Sequence, residues 1–455
     1  MRNILKYAML LALSMSIVSC ESLVEGFDEN PNDPTDAPAI TMFGGLEAAN
    51  VFVHEGSYAR TAGMWSGAFT GSDRQYIATY EYNAVASDFD YGWRDIYANG
   101  LYVSRQLQEK AAALNNGPLE SAALIIEAHM IGTAADLFGD VPYSQAAQPD
   151  VYANPVYDSQ ADVYTAVQAT LDKAITTASE DGDFAYVTRL GSWKEVAYTL
   201  KARNYLHTGQ YADAIAAAQN GVSSSDNDWV ATHHDIPTSY NIYYSFMDFE
   251  RGGYMTADGA YAFSLLNPND GNYRGNAKTD ESERVSHYYL FDDGDTYGTV
   301  DPNWKDGMFT PSSEFPLVTY VENELILAEC YARTGNSAMA LDHLNNARAA
   351  HAAKYGTAYD DYVTADFDAG GMANIAGQTA DESLLMEIME EKYLSMYGQI
   401  EIFTDLRRTD NMLGIPANTG TDTPERFLYT QDEINSNSNV PSPMPGLFEP
   451  TPINQ

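Results

Sequence analysis

Two stretches of the sequence set aromatic rings beside charged side chains among loop-forming residues. In the first, Trp65 and Tyr76 flank Asp73 and Arg74; in the second, Tyr288, Tyr289, Tyr297 and Trp304 lie among Asp, Asn and Gly. A pyranose presents a face of C–H bonds, apolar and slightly positive, that stacks on the negative face of a ring, while its hydroxyls need donors and acceptors at the rim. On that chemistry Trp65, Tyr76 and Trp304 are expected as stacking rings, Asp73 and Arg74 as hydroxyl partners, and Tyr288 and Tyr297 as further contacts. Trp304 is the foremost choice, because Asp301-Pro302-Asn303 before it and Lys305-Asp306-Gly307 after it mark a turn.

Catalytic constellations are missing from the chain. It holds no His-Glu-x-x-His, Gly-x-Ser-x-Gly, Gly-x4-Gly-Lys or Gly-x-Gly-x-x-Gly. The adjacent pair His233-His234 sits in a polar stretch and reads as solvent-exposed. With 64 acidic residues, carboxylate pairs are unavoidable, so a secreted carbohydrate-active enzyme stays as an alternative to a binder. Asp292-Asp293-Gly294-Asp295 and the Asn267 to Asn272 run resemble calcium loops, but neither fits a twelve-residue loop ending in Glu. No catalytic residue or metal ligand is therefore assigned, and a structural calcium is the one cofactor left open.

The elements that would position these rings are helical. Leu325 to Arg333, then Thr334-Gly335-Asn336-Ser337, then Ala338 to Ala353 reads as a helix hairpin, Gly335 supplying the left-handed residue that ends a helix. Leu327, Ala328, Tyr331, Ala340 and Leu344 take the small and apolar slots of a tetratricopeptide repeat, with Tyr331 filling the seam. Ala202, Tyr205, Thr208-Gly209 and Ala214 repeat the pattern upstream at a constant offset. One hairpin cannot bury its own apolar face, so stacked neighbours are required. Helix pairs are expected near 41–114, 119–178, 192–222 and 317–353 within a single domain, 41–455, with Asp158 capping the helix that carries Val163, Val167, Leu171 and Ile175. Residues 223–316, rich in Gly, Asn, Asp and Tyr, form an irregular insertion of a length that is often functional.

An apolar share of 45% with 19% charged residues is that of a globular chain. The net charge of -40 repels phosphate backbones, which excludes nucleic acid and favours neutral ligands. Arg2 and Lys6, an apolar run from Tyr7 to Ser19, and small residues before Cys20 make an export signal over 1–20; residues 21–40, with Asn30-Pro31-Asn32-Asp33-Pro34, read as a flexible tether. Ile17-Val18-Ser19-Cys20 resembles a bacterial lipobox with Cys20 as the acylated residue, leaving Cys330 as a lone buried thiol.

Taken together, the chain resembles the SusD/RagB family, surface nutrient-binding lipoproteins of Bacteroidetes. The resemblance rests on the lipobox and tether, Trp93-Arg94-Asp95-Ile96-Tyr97, Ala134 to Ser144, Glu322 to Tyr331, Glu390-Glu391-Lys392-Tyr393, Asp405 to Thr409 and Pro424 to Tyr429, in that order. It implies an all-α dominated fold, with tetratricopeptide-like helix pairs packed against a loop-rich ligand face. It further implies non-catalytic capture of an oligosaccharide, or of a peptide, at the outer-membrane surface and delivery to a SusC-like TonB-dependent transporter.

The lipobox reading has a direct check. Acylation is the strong membrane attachment in this sequence, at about 0.8 kcal/mol per buried CH2. Cys20→Ala expressed without the transporter is expected in the soluble fraction after a high-salt wash; retention in the membrane pellet would refute acylation at Cys20.

Overall fold

Helix formation follows the capping residues and small-residue spacing. The computed structural model describes residues 37–178, 185–291, 294, 296–374 and 377–454, and those from Phe43 onward belong to one compact unit. Cys20, the signal segment, the tether up to residue 36 and the acids at 292, 293 and 295 lie outside the described residues. Helix α1 spans Ala39–Glu55 and α2 Ser57–Trp65. A helical run from Asp90 passes through a π-helical turn at Asp95–Leu101 into α3, Tyr102–Ala113. Asn116 then caps α4, Gly117–Phe138, by accepting from the Leu119 N–H, and the helix stops at Gly139, whose φ of 81 suits a residue without Cβ. Long and apolar enough to cross a membrane, α4 instead has its apolar 18-residue stretch buried within the fold.

Helix α5, Gln160–Thr177, is capped by Ser159, not by Asp158. Asp158 instead accepts from the Tyr143 and Ser144 N–H groups and the Ser144 hydroxyl, tying the Pro142 turn to the helix start. Helices α6 (Trp193–His207) and α7 (Tyr211–Ala218), then α8 (Tyr320–Arg333) and α9 (Ser337–Tyr355), are the two tetratricopeptide-like hairpins. Their turns match in detail. Gly209 and Gly335 have φ of 70 and 77, Thr208 and Thr334 bond back to the carbonyls of Asn204 and Cys330, and the N–H groups of Gln210 and Asn336 donate to Tyr205 and Tyr331.

The hairpins stack through Ala202, Leu206, Ala214, Ile326, Leu327 and Cys330, while Leu325, Ala328, Ala340 and Leu344 continue into a second cluster. Half-buried Tyr331 packs against both clusters, as the seam position requires. Burial pushes the Cys330 thiol up to about 12, so it is an inert core group. The first expected pair differs from the sequence reading: α3 packs on α4 across the Asn115-Asn116 turn. Helix α1 meets α4 through His54 and Asn50, the His54 ring stacked 3.6 Å over His129.

Residues 223–316 are far more ordered than their composition suggests. In chain order the strands are β1 (Thr70–Gly71), β2 (Thr188–Arg189), β3 (Trp229–Ala231), β4 (Met255–Thr256), β5 (Tyr289–Phe291), β6 (Val300–Pro302) and β7 (Phe315–Val318). All pair antiparallel: β1 with β4, β5 with β6, and β3 between β2 and β7. Helix α10, Ala380–Ser395, starts from a Thr379–Glu382 capping box, and α11, Glu401–Arg408, follows. Glu391 on α10 takes Arg274 and Arg284 of the insertion at 2.8 Å each, fastening the insertion to the scaffold. Arg408 pairs with Glu329 and Asp405 as its acidic surroundings require, whereas Arg407 donates instead to the carbonyls of Asp136 and Glu425.

Where α4, α6 and α11 meet, His207 lies buried between Asp136 at 2.9 Å and Glu401 at 2.6 Å. Burial disfavours its cation, but the two carboxylates outweigh burial and raise the imidazole from 6.5 to about 9. Since the folded value lies above the unfolded one, this stabilisation is complete below about pH 6.5 and lost as pH rises toward 9. Chemical denaturation should show stability falling across that window, with His207→Gln flattening the slope; an unchanged slope would place the titration elsewhere.

Candidate functional site

Three stretches distant in sequence meet through short backbone pairings. Strand β1 pairs with β4, placing Thr70 opposite Thr256, and the Ser72 N–H extends the contact to the Tyr254 carbonyl at 2.9 Å. On the other side of β4 the Ala257 N–H donates to Val300 of β6 at 2.8 Å. The loop Tyr297–Val300 is held by two carboxylates: Asp301 accepts from the N–H groups of Tyr297 and Gly298, and Asp258 accepts from the N–H groups of Thr299 and Val300 and from the Thr299 hydroxyl. Residues 70–80, 245–258 and 296–304 thus form one ring-bearing surface.

The rings on it are closely spaced. Tyr76 lies 4.6 Å from Phe246 and 6.2 Å from Tyr254, centroid to centroid. Arg60 reaches over Phe246 at 4.2 Å and its Nε donates to the Tyr76 hydroxyl at 2.9 Å. Tyr297 is 48% exposed, donates its hydroxyl to Asp248 at 3.2 Å, and stands 6.1 Å from the half-buried Trp304. Glycine is required behind it: a Cβ on Gly252 would run into the Tyr297 ring. Phe246, Asp248 and Phe249 come from the π-helical turn Ser245–Glu250, which follows Ile242–Tyr244 directly; such turns are frequent at functional sites.

The expected Asn303 turn is present, the Asn303 side chain accepting from the N–H groups of Lys305 and Asp306. Trp304 follows Asn303 in that turn, half-buried, and its indole Nε1 is itself buried without a hydrogen-bond partner among the described residues. Asp73 and Arg74 are exposed, 3.5 Å apart, and Arg74 has φ of 49 and ψ of -130, a strained backbone for a residue with a side chain.

Two expected contacts are corrected. Trp65 is 1% exposed, because as the last residue of α2 it points into the core among Phe89, Phe403 and Phe427, its Nε1 donating to the Thr79 carbonyl at 2.8 Å. Tyr288, 2% exposed, stacks on Tyr397 at 4.7 Å and donates to the Leu394 carbonyl, and Tyr289 is buried beside it. Trp65 thus bonds the end of the short helix Gln75–Tyr80 and Tyr288 the last turn of α10, and neither belongs to the ring surface, Tyr288 touching instead a separate cleft beside α9. Phe246 and Tyr254 were missed; their only sequence signal is an aromatic repeat beside Arg251-Gly252-Gly253.

Two clefts open among the described residues. One of about 360 Å³ adjoins the ring surface and is lined by Phe52, Arg60, His233, Tyr240, Phe246 and Glu250. His233 is not free in solvent as its sequence setting suggests: its Nε2 lies 2.8 Å from the buried Glu55 carboxylate. The other, about 550 Å³, lies between α9 and β7 and carries Asp228, whose carboxyl burial raises to about 7. Asn267 and Asp270 fold back onto the N–H groups of Asn269 and Asn272 as ordinary turns. Among the described residues no group of three or more His, Cys, Asp or Glu could hold a metal ion.

Helix pairs stacked under a loop-borne ring surface define a helical-repeat binding scaffold. A family model described as "Starch-binding associating with outer membrane", SusD-like, matches residues 54–430. The chain therefore belongs to the SusD/RagB family. Similar solved structures include a SusD/RagB family protein of Bacteroides thetaiotaomicron (19% identity, 89% of this chain and 95% of that one, TM-score 0.61). A chitin-binding SusD homologue of Flavobacterium johnsoniae matches at 17% identity over 88% and 94% with TM-score 0.64. A SusD homologue of Bacteroides fragilis matches at 15% over 91% and 100% with TM-score 0.66. No curated protein sequence matches.

The two tryptophans should behave oppositely. Trp65→Ala empties a packed core position and should cost about 3–5 kcal/mol, while Trp304→Ala, at a half-buried loop, should cost about 1 kcal/mol or less. Denaturant midpoints of equal size for the two would overturn the assignment of one to core and the other to surface.

Proposed function

We propose that this chain is a non-catalytic surface lipoprotein that captures an oligosaccharide on the Tyr76–Tyr297–Trp304 surface and delivers it to a SusC-type TonB-dependent transporter. The supporting observation is the convergence of rings from three distant stretches onto one loop surface, with Tyr297 half exposed and backed by glycine. A sugar ring stacked there meets Asp73, Arg74 and Asp248 at the rim, the donors and acceptors its hydroxyls require. Relatives described as starch-binding and chitin-binding agree with that chemistry. Acylation at Cys20 would keep the protein beside its transporter.

Trp304→Ala should lose at least about 2 kcal/mol of glycan affinity with its thermal midpoint nearly unchanged. Titration calorimetry against a glycan panel, with parallel product analysis, tests this. Wild-type affinity in the variant, turnover of the glycan, or binding of peptides in its place would each defeat the reading.

A further inference from the structure

The cations of this acidic chain are unevenly spent. Several are committed to carboxylates inside the fold, Arg274 and Arg284 to Glu391, Arg203 to Glu322, Arg408 to Glu329 and Lys392 to Asp405. Around the ring surface the pattern reverses. Among the described residues, neither Arg60 nor Arg251 has a carboxylate within ion-pair distance, and Arg74 has only the exposed Asp73 at 3.5 Å.

These three guanidiniums occupy two neighbouring rings. Arg60 lies 4.2 Å from the Phe246 centroid; Arg74 and Arg251 lie 5.5 and 5.7 Å from the Tyr254 centroid; and the two rings are 6.4 Å apart. Arg60 is only 9% exposed and lines the 360 Å³ cleft, yet its Nη1 has no hydrogen-bond partner. A buried, unpaired guanidinium nitrogen is costly, and an anion in the adjoining cleft removes that cost. Arg74 keeps a left-handed φ of 49 that a side-chain-bearing residue adopts only under constraint. The acids nearby keep their charge, Glu250 lining the same cleft, but they are turned to other donors, Asp248 to Tyr297, Glu250 to Ser245, and Glu55 to Ile242 and His233, and none pairs with the three guanidiniums.

We infer that the oligosaccharide is anionic, its acid groups, uronate carboxylate or ester sulfate, being held by Arg60, Arg74 and Arg251 while its sugar rings stack on the aromatic surface. This rests on the glycan-binding reading of the same surface. It also revises the preference for neutral ligands drawn from the net charge of -40, because the bulk field is screened within about 10 Å at ordinary salt and local cations decide close contact. Planar guanidiniums match either anion in bidentate fashion, so the chemistry is shared and the test separates the sources.

Calorimetric titration of the whole soluble domain with length-matched neutral, uronate and sulfated oligosaccharides provides that test. At least one anionic class should bind roughly tenfold or more tighter than the neutral one, with affinity falling as salt rises. Arg251→Gln, at an exposed position, and Arg60→Gln should each lower the ratio of anionic to neutral affinity several-fold. Equal binding of neutral and anionic sugars, or a ratio unmoved by Arg251→Gln, overturns the inference and leaves the glycan reading standing. Retention of no glycan class overturns both.

Discussion

The buried carboxylate of Glu391 is the interaction on which the arrangement depends. It sits at 0% exposure on α10 and holds Arg274 and Arg284 from the insertion while His351 of α9 lies 3.1 Å away. The next residue, Lys392, points to Asp405 and Glu329, and Arg408 closes the set on the same two acids. Such a lattice is not a large net source of stability, since desolvation offsets most of the attraction, but a wrong partner would leave a buried charge unpaired at about 3–5 kcal/mol. The insertion can therefore dock in one way only. The consequence reaches the ring surface, because β4 and β6 both belong to the docked insertion.

Sequestering the arginines in this way also shapes the surface. With few basic residues and many of them internal, the exterior is left acidic, and the remaining cations stand out where they gather on Phe246 and Tyr254. The ring surface itself is supported by backbone rather than by a packed core. The β1–β4 pairing, the Ala257 to Val300 backbone bond, the two carboxylates Asp258 and Asp301, and glycine at 252 hold Tyr297 in place without burying it. A binding ring must stay partly wet, so it cannot be fixed by the apolar contacts that fix Trp65.

The helical scaffold was legible because it is local. Spacing of Ala, Leu and Tyr about a Thr-Gly turn specifies which residues share a helix face, and the buried Ala202, Ala214, Ala328, Ala340 and Leu344 lie where that spacing puts them. Of the residues expected from turn-rich surroundings, Asp73, Arg74 and Tyr297 are exposed, and Tyr76 and Trp304 are half-buried. The cap at Ser159 in place of Asp158 shows the limit even here, since adjacent residues of equal capping power are separated only by what else needs them; Asp158 is taken by the Tyr143-Ser144 backbone.

By itself the sequence determined the helix hairpins and the family. Only the tertiary structure decided which rings are free. Trp65 and Tyr288 carry the same local signals as Tyr76 and Trp304, yet α10 and α11, far along the chain, close over the first two and not over the second. Likewise Phe246, Tyr254 and Arg60 come together only through tertiary packing, with β1 paired to β4 and Ala257 bonded to Val300. Burial and charge pairing are properties of segments brought together, and no spacing within one segment records them.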